Sequence, residues 1–275
     1  SMIPWKIALS TADEASLKDP ILLVGSIEDN LVRASHLGYD AIEIHMRENE
    51  PLDINSVLKT AEKNNVKISA LVTGRLNTAG MCSLIDDRPY VEEAALKGLY
   101  KYIDRAHKLD TNLVIGWIRG KIPEGKSKTK YMDKLARNLG SLDDYAGLHQ
   151  VKLFIEVINR YETNIFNTCK ETLDFITQHR FKQAYVHLDT FHMAIEEANA
   201  VEAIREASQC LGYIHFADNN RHFPGDGRLD FLEILRALKD INYQGYISVE
   251  CLPFPEHEVA ASHALKNIRD LCESL

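Results

Sequence analysis

The chain has 275 residues, of which 45% are hydrophobic and 26% are charged, and its formal net charge is −8. This composition is ordinary for a folded globular protein, and the negative charge does not favour nucleic acid or an anionic membrane as a partner. No apolar run approaches the roughly 18 residues that a membrane span requires. The length suits one large α/β domain, and we expect residues 1–275 to form a single domain.

The cysteines indicate the compartment. They are scattered, odd in number and without a Cys-x-x-Cys pair: Cys82, Cys169, Cys210, Cys251 and Cys272. This pattern is typical of reduced thiols, so the sequence predicts a cytoplasmic protein without a disulfide framework. We interpret Ser1, which precedes Met2, as a remnant of expression, and we expect no signal peptide.

Short apolar runs alternate with stretches of helical periodicity along the chain. The predicted strands cover residues 5–9, 39–45, 66–71, 112–117, 153–155, 184–188, 211–214 and 245–249. The predicted helices cover residues 27–37, 53–64, 90–109, 132–149, 167–179, 194–207, 231–239 and 258–273. Eight strand–helix units in succession predict a closed parallel (β/α)8 barrel, the TIM-barrel fold.

Four of the predicted strands run into side chains that can bind metal. These side chains are Glu156, Asp189, His215 and Glu250, at intervals of 33, 26 and 35 residues. One strand–helix unit with its loops takes roughly 30 residues, so the four lie at equivalent places in four successive units. Active sites of such barrels lie at the carboxyl ends of the strands, and we therefore expect these side chains to converge at one mouth.

Three carboxylates and one imidazole are mostly hard ligands, which suit Mn²⁺ or Mg²⁺ and also Co²⁺. Four ligands in an octahedral shell leave two positions for a carbonyl oxygen and a neighbouring hydroxyl of a sugar. A metal on a ketone oxygen acidifies the adjacent C–H bond and stabilises the resulting enediolate. Two bases on opposite faces of that carbon would epimerise it, whereas one base on one face would interconvert aldose and ketose. The residues alone leave both reactions open.

The segments around these residues resemble the D-tagatose/D-psicose 3-epimerase family, within the xylose-isomerase-like barrel superfamily. The resemblance is carried by IEVINRYE, LDTFHMAIEE, HFADNNRHFPGDGRLDF and GYISVE, and it is dense from about residue 152 to 254. It implies one divalent metal ion, usually Mn²⁺, held by Glu156, Asp189, His215 and Glu250. It also implies a homodimer or homotetramer.

The same resemblance implies roles for further residues. Glu156 and Glu250 would be the acid/base pair. Three polar residues, Glu162, His192 and Arg221, would hold the C1–C2 end of a ketose, and Trp117 would line the pocket. The implied function is a metal-dependent epimerase that inverts C3 of a ketose or keto sugar acid through a metal-stabilised enediolate.

Other functions fit the same residues less closely. An aldose–ketose isomerase or a sugar-phosphate epimerase on the same scaffold is the main alternative. A metal-dependent phosphodiesterase and an inactive sugar-binding module are two more. The loops at residues 73–88 and 118–130 would choose the substrate, and Arg75 and Arg119 in them are candidates for meeting an anionic group.

Several residues also have purely structural interpretations. An acid after a strand, such as Asp189, often caps the following helix. His45 and His187 approach the ends of strands, and we interpret both as structural residues.

Overall fold

The computed structural model describes residues 3–77 and 82–275. Its main feature is a set of eight parallel strands: β1 (Ile7–Ala12), β2 (Ala41–His45), β3 (Lys67–Val72), β4 (Leu113–Ile115), β5 (Leu153–Glu156), β6 (Ala184–Asp189), β7 (Leu211–Phe216) and β8 (Ile247–Val249). Each strand pairs with its neighbours in chain order, and β1 also pairs with β8. The sheet therefore closes into the predicted barrel. A two-residue strand, Leu23–Val24, adds to the end of β1.

Helices follow the strands around the barrel. They are α1 (Ile27–Leu37), α2 (Ile54–Asn64), α3 (Pro89–Lys108), α4 (Lys128–Leu148), α5 (Cys169–Gln178), α6 (Thr190–Glu196), α7 (Ala200–Ala207), α8 (Phe231–Asp240) and α9 (His257–Cys272). Short polar side chains start several of them, as for α1, where Ser26 accepts a hydrogen bond from the Asp29 amide. The same helix ends at Gly38, whose φ of +92° is readily adopted only by glycine.

Apolar side chains fill two regions. The larger lies between the strands and the helices, and the smaller lies inside the barrel. In the interior, the rings of Phe154 and Tyr213 stack with their centroids 5.1 Å apart. This layer closes the barrel beneath its carboxyl-terminal mouth, so the mouth is the open end.

The predicted helix at 194–207 is wrong in its extent. The structure has two shorter helices there, α6 and α7, separated by extended backbone at Glu197. Asp189 caps the first helix, and Asn199 caps the second by accepting a hydrogen bond from the Glu202 amide. A second cap inside the predicted helix is the physical reason for the break, because a capping side chain favours non-helical backbone at its own position.

The fourth strand is also shorter than predicted. It ends at Ile115, and a 3-10 turn, Trp117–Arg119, follows after Gly116. Of the predicted loop at 73–88, residues 78–81 lie outside the described residues.

Strand register sets the positions of the polar side chains at the mouth. Asp189 is the register partner of His215, and Glu156 is the partner of His187. Within residues 3–77 and 82–275, we find no helix with the length and apolar character needed to cross a membrane.

Candidate active site

The four predicted metal ligands come together at the mouth of the barrel. Glu156, Asp189 and His215 lie on the carboxyl-terminal parts of β5, β6 and β7, and Glu250 directly follows β8. One nitrogen or oxygen atom from each lies within 4.8 Å of the corresponding atoms of the others. Side chains separated by 94 positions of sequence therefore form a single cluster.

Asp189 belongs to both the cluster and the helix that follows it. Its Oδ1 accepts hydrogen bonds from the amides of Phe191, at 2.8 Å, and His192, at 3.2 Å. Its Oδ2 lies 3.3 Å from Nδ1 of His215. The capping interpretation and the ligand geometry thus use different oxygens of one carboxylate.

His215 is fully buried and is oriented by a residue that the sequence patterns did not single out. Its Nε2 lies 2.5 Å from Oε1 of Glu43, and its Nδ1 lies 3.4 Å from Oε2 of Glu250. Burial alone would lower the pKa of His215, but Glu250, Glu43 and Asp189 hold it well above its usual value. The surrounding carboxylates therefore favour the protonated form of the ring.

Glu156 lies in a less compensated environment. Burial raises the pKa of its carboxyl group to about 8, with further upward contributions from Glu250 and Asp189. The carboxylate lies close against Gly116, where a Cβ atom would come 2.8 Å from Oε1 of Glu156. The absence of a side chain at Gly116 gives Glu156 its room.

One oxygen of Glu250 lies near an arginine, and the other lies near histidine rings. Arg221 places Nη2 3.4 Å from Oε1, and His45 places Nε2 3.4 Å from Oε2. Burial lowers the pKa of His45, but its hydrogen bonds to Glu250 and Glu43 raise it to about 9. The two glutamates of the cluster therefore have unlike surroundings.

A hydrogen-bonded group beside Glu156 contains three of the predicted sugar-binding residues, His192, Glu162 and Trp117. Nδ1 of His192 accepts from the amide of Asn159 at 3.3 Å, so Nε2 carries the hydrogen and lies 3.7 Å from Glu156. Burial lowers the pKa of His192, which favours the neutral ring. Glu162 accepts from the side chain of Asn159 at 2.9 Å and from the indole of Trp117 at 3.1 Å.

A cavity of about 980 Å³ opens over the cluster. Its walls include the two glutamates and all of the predicted sugar-binding residues: Glu156, Glu250, Glu162, His192, Arg221 and Trp117. Protein cavities that hold small organic molecules are typically about 300–1,000 Å³, so this one lies at the upper end of that range. The structure thus brings every one of these predicted residues to one cavity.

The two loop arginines differ from each other. Arg75 lines the cavity, but its Nη1 is 2.9 Å from Oδ1 of Asp13, which also binds Arg47. Arg119 is buried, with 1% of its surface exposed, and its guanidinium lies over the ring of Phe166. Burial lowers the pKa of Arg119 to about 10. Arg119 does not line the cavity in the described part of the chain, so it is poorly placed to meet a substrate.

Sequence patterns missed two residues of the site. Glu43 sits between two isoleucines on β2, and this was a usable signal, because an acid flanked by apolar residues in a buried strand points to the opposite face. His45 was interpreted as structural, yet it lines the cavity and contacts Glu250. His187, also interpreted as structural, is fully buried, with its ring edge against His215 at 4.2 Å between centroids.

The residues present fit a divalent cation. Three carboxylates and the Nδ1 side of one imidazole point to one region, and hard oxygen ligands with one nitrogen suit Mn²⁺, Mg²⁺ or Co²⁺. The other nitrogen of His215 is already used by Glu43, so the ring has only its Nδ1 side for a metal. Two further groups that include Glu250 or His215 lie next to the first.

Comparison with known proteins agrees with this fold. The chain matches the model of the xylose isomerase-like TIM barrel family over residues 31–271. It is 32% identical to a D-psicose 3-epimerase of Enterocloster bolteae over 253 residues, which are 88% of this chain and 82% of that enzyme. It is 34% identical to the 3-dehydro-D-guloside 4-epimerase of Escherichia coli over 113 residues, which are 41% of this chain and 43% of that enzyme. A solved structure of an L-ribulose 3-epimerase aligns with a TM-score of 0.84 at 24% identity, over 98% of this chain and 95% of that one.

The chain therefore belongs to the xylose isomerase-like TIM barrel family and, within that class, to its D-tagatose/D-psicose 3-epimerase members, as the resemblance predicted. Its relatives are named as enzymes that epimerise sugars, and this chain is likewise a sugar isomerase.

Proposed function

We propose that this enzyme inverts C3 of a ketose or keto sugar acid by removing a proton from one face of the carbon and returning one to the other. The ligands of its metal would be Glu156, Asp189, His215 and Glu250. A divalent ion held there, with Mn²⁺ the expected one, would supply a Lewis acid for the substrate carbonyl.

The proton transfers are assigned to Glu156 and Glu250. Both lie on the cavity, and they come from strands that are not neighbours in the barrel. A sugar carbon held between them presents opposite faces to the two carboxylates, so one can act as base while the other acts as acid. The enediolate that forms between the two steps is planar at C3, which allows the configuration to invert.

The remaining polar residues would orient the sugar. Glu162, His192 and Arg221 lie beside the cluster, where they can bind hydroxyl groups at the C1–C2 end of a ketose. His192 presents Nε2–H toward Glu156, and Trp117 offers an aromatic face at the entrance. Together these residues would hold C3 between the two bases and limit access of water.

The observation that carries this proposal is that the two glutamates have different neighbours. Glu156 has a pKa raised to about 8, while Glu250 contacts Arg221 and two histidines. Binding alone does not require two carboxylates at the floor of a cavity. Inversion of a carbon does require two such groups, because one must act as base and the other as acid.

Incubation of the enzyme with Mn²⁺ and a panel of ketoses in D₂O tests the proposal. Deuterium at C3 of a product with inverted configuration is the expected result. An aldose product would instead support the isomerase alternative, and turnover only of phosphorylated sugars would support the sugar-phosphate epimerase. No exchange with any sugar would overturn the proposal and favour a binding protein or a phosphodiesterase.

A second candidate is 4-epimerisation of a glycoside that carries a ketone at C3. The cavity is large for a single free ketose, and the relative in Escherichia coli is named as acting on a 3-dehydro-guloside. The chemistry is the same, since C4 is also adjacent to the carbonyl carbon. A 3-keto-glucoside added to the D₂O panel distinguishes the two, through deuterium at C4 rather than at C3.

We also propose that the enzyme works as a homodimer or homotetramer in a reducing, cytoplasmic compartment. None of the five cysteines forms a disulfide within residues 3–77 and 82–275, and three of them are buried, which supports a reduced protein. Light scattering of the purified protein measures the assembly.

A further inference from the structure

Glu43 lies beneath the proposed metal site and makes an unusual number of contacts for a buried acid. None of its surface is exposed. Its Oε1 is 2.5 Å from His215 Nε2, 2.9 Å from the hydroxyl of Tyr213 and 3.1 Å from that of Ser248. Its Oε2 is 2.7 Å from Nε2 of His45. Placing a carboxylate in a barrel interior is costly unless donors compensate it, and here both oxygens are compensated.

The two histidines that contact Glu43, His215 and His45, both also contact Glu250. His215 reaches Oε2 of Glu250 with its other nitrogen, at 3.4 Å, and His45 reaches the same oxygen at 3.4 Å. One carboxylate therefore anchors a proposed metal ligand and a cavity residue that flank the same catalytic glutamate. A polar residue that merely filled space in the barrel would not need this arrangement.

The contact with His215 also selects which nitrogen faces the site. A carboxylate can only accept at Nε2, so Nε2 carries a hydrogen and Nδ1 is directed toward Asp189 and Glu250. A ligating histidine whose second nitrogen donates to a carboxylate is held in one orientation and is a stronger ligand.

We propose that Glu43 is a positioning residue that fixes His215 for metal binding and, through His45, holds Glu250 in place beside the substrate. This inference rests on the metal site of the proposed function. Glu43 itself touches neither the cavity nor the expected position of the sugar.

The test compares Glu43→Gln with two variants at the same carboxylate, Tyr213→Phe and Ser248→Ala. The glutamine keeps the size of the side chain but replaces one acceptor oxygen with an NH₂ group, so one histidine loses its partner. The two controls remove neutral donors and leave both histidines bound. We expect Glu43→Gln to weaken Mn²⁺ binding by about 10–100-fold in titration calorimetry on chelator-treated protein, with little change in the controls.

Thermal unfolding of the same metal-free proteins separates positioning from folding. If Glu43→Gln does not fold, Glu43→Asp replaces it, because aspartate keeps the charge but is one methylene too short to reach both histidines. A His45→Gln variant tests the second half of the inference. It should lower kcat for the best ketose of the D₂O panel by a larger factor than it weakens Mn²⁺ binding.

Three results would overturn the inference. Folded Glu43→Gln, or Glu43→Asp in its place, with unchanged Mn²⁺ affinity would remove the role of Glu43. Equal loss of affinity in Tyr213→Phe and Ser248→Ala would show a general requirement for the polar interior. Unchanged kcat in His45→Gln would remove the link to Glu250. The two outcomes on metal binding are measured without substrate, so they are independent of which sugar, if any, is epimerised; only the kcat of His45→Gln depends on the proposed reaction. An unmodified protein that binds no divalent ion would overturn the proposed metal site and this inference together.

Discussion

The indole nitrogen of Trp117 donates a hydrogen bond to Oε1 of Glu162 over 3.1 Å, at the entrance of the cavity. Trp117 keeps 51% of its surface exposed, so the bond orients an aromatic ring that packing alone would not hold. The ring and the Glu162 carboxylate thereby form part of one wall of the cavity.

Substitution of Trp117 by Phe should therefore raise KM more than it lowers kcat. The ring face remains, but the bond to Glu162 is lost, and an interaction of this kind contributes about 0.5–1.5 kcal/mol. Steady-state kinetics with the best ketose measures the change. Trp5→Phe is the matched control, because the indole of Trp5 is buried and donates to the carbonyl of Tyr243. That variant should lose stability and keep its KM; a similar KM in all three proteins would remove the role of Trp117.

Asp189→Asn should fold but lose metal. The amide oxygen of asparagine can still cap α6, while the charge facing His215 is gone. Elemental analysis of the purified variant measures its metal content, and His215→Ala should behave in the same way. Asp189→Ala should lose the cap as well and become about 1 kcal/mol less stable than the asparagine variant. Full metal content with normal turnover in Asp189→Asn would contradict its assignment as a ligand.

Glu156→Gln and Glu250→Gln should both fail at net epimerisation and yet differ in proton exchange. Each glutamine retains an oxygen for the metal but cannot accept the C3 proton. If the two bases work on opposite faces, each variant should still exchange the C3 proton of one epimer, and the two should prefer opposite epimers. Proton NMR in D₂O at saturating Mn²⁺ reveals the preference. Identical behaviour of the two metal-loaded variants toward both epimers would rule out two bases.

The metal-free protein should lose stability as pH rises from about 5 to 9. The folded-state pKa of Glu156 is raised to about 8 from 4.5, so its contribution is complete below about 4.5 and is lost as pH rises through 8. His45, raised to about 9 from 6.5, acts in the same direction between those values. The lowered pKa of Glu43 contributes only in more acidic solution, where its stabilisation is lost as pH falls.

Thermal unfolding of chelator-treated protein across this pH range provides the measurement. We expect the unfolding free energy to fall steadily across this range. Glu156→Gln should show a shallower decrease, because its amide does not titrate. Bound metal replaces the protons of the cluster, so metal-loaded protein should be less sensitive to pH in the same window. A metal-free protein that became more stable toward pH 9 would contradict the raised pKa values.

Asp13→Asn should improve turnover of anionic sugars. Asp13 pairs with Arg75 at 2.9 Å and with Arg47 at 2.7 Å, and both arginines line the cavity. Removing the negative charge leaves more positive charge for a carboxylate or phosphate, whereas neutral ketoses gain nothing. The measured quantity is the ratio of kcat/KM for a keto acid to that for a neutral ketose. Arg119→Met should leave this ratio unchanged, since Arg119 is buried; a fall in the ratio would place Arg119 near the substrate after all.

The sequence was most informative where spacing repeated. The eight alternating strand–helix units predicted the barrel, and the intervals between Glu156, Asp189, His215 and Glu250 predicted the cluster, because each unit places a polar side chain at the same point. The apolar neighbours of Glu43 could indicate only that its side chain points to the opposite face of the strand. Its partners are far away in sequence, with Tyr213 170 positions distant and Ser248 205. No local pattern marks such a contact.

Sequence patterns also failed to predict the secondary structure where two of them, apolar periodicity and helix capping, favoured different results. Apolar periodicity favoured one helix across residues 194–207, but Asn199 supplies a cap in the middle of that range. Asp189 shows the converse, since the capping rule and the predicted ligand pattern use different oxygens of the same side chain. Which arrangement prevails depends on neighbouring strands that a linear pattern does not contain.

The pairing of β1 with β8, in which Ile7 lies beside Ile247, has a consequence for synthesis of the protein on the ribosome. β1 is made first but cannot pair with β8 until β8 has been made. The carboxylate of Glu43 likewise lacks one of its hydrogen-bond donors until Ser248 has been made. A nascent chain that lacks β8 has an open sheet with two unpaired edges and lacks Glu250. Partly made chains should therefore be inactive and prone to association, so that catalysis begins only once the ends of the barrel have met.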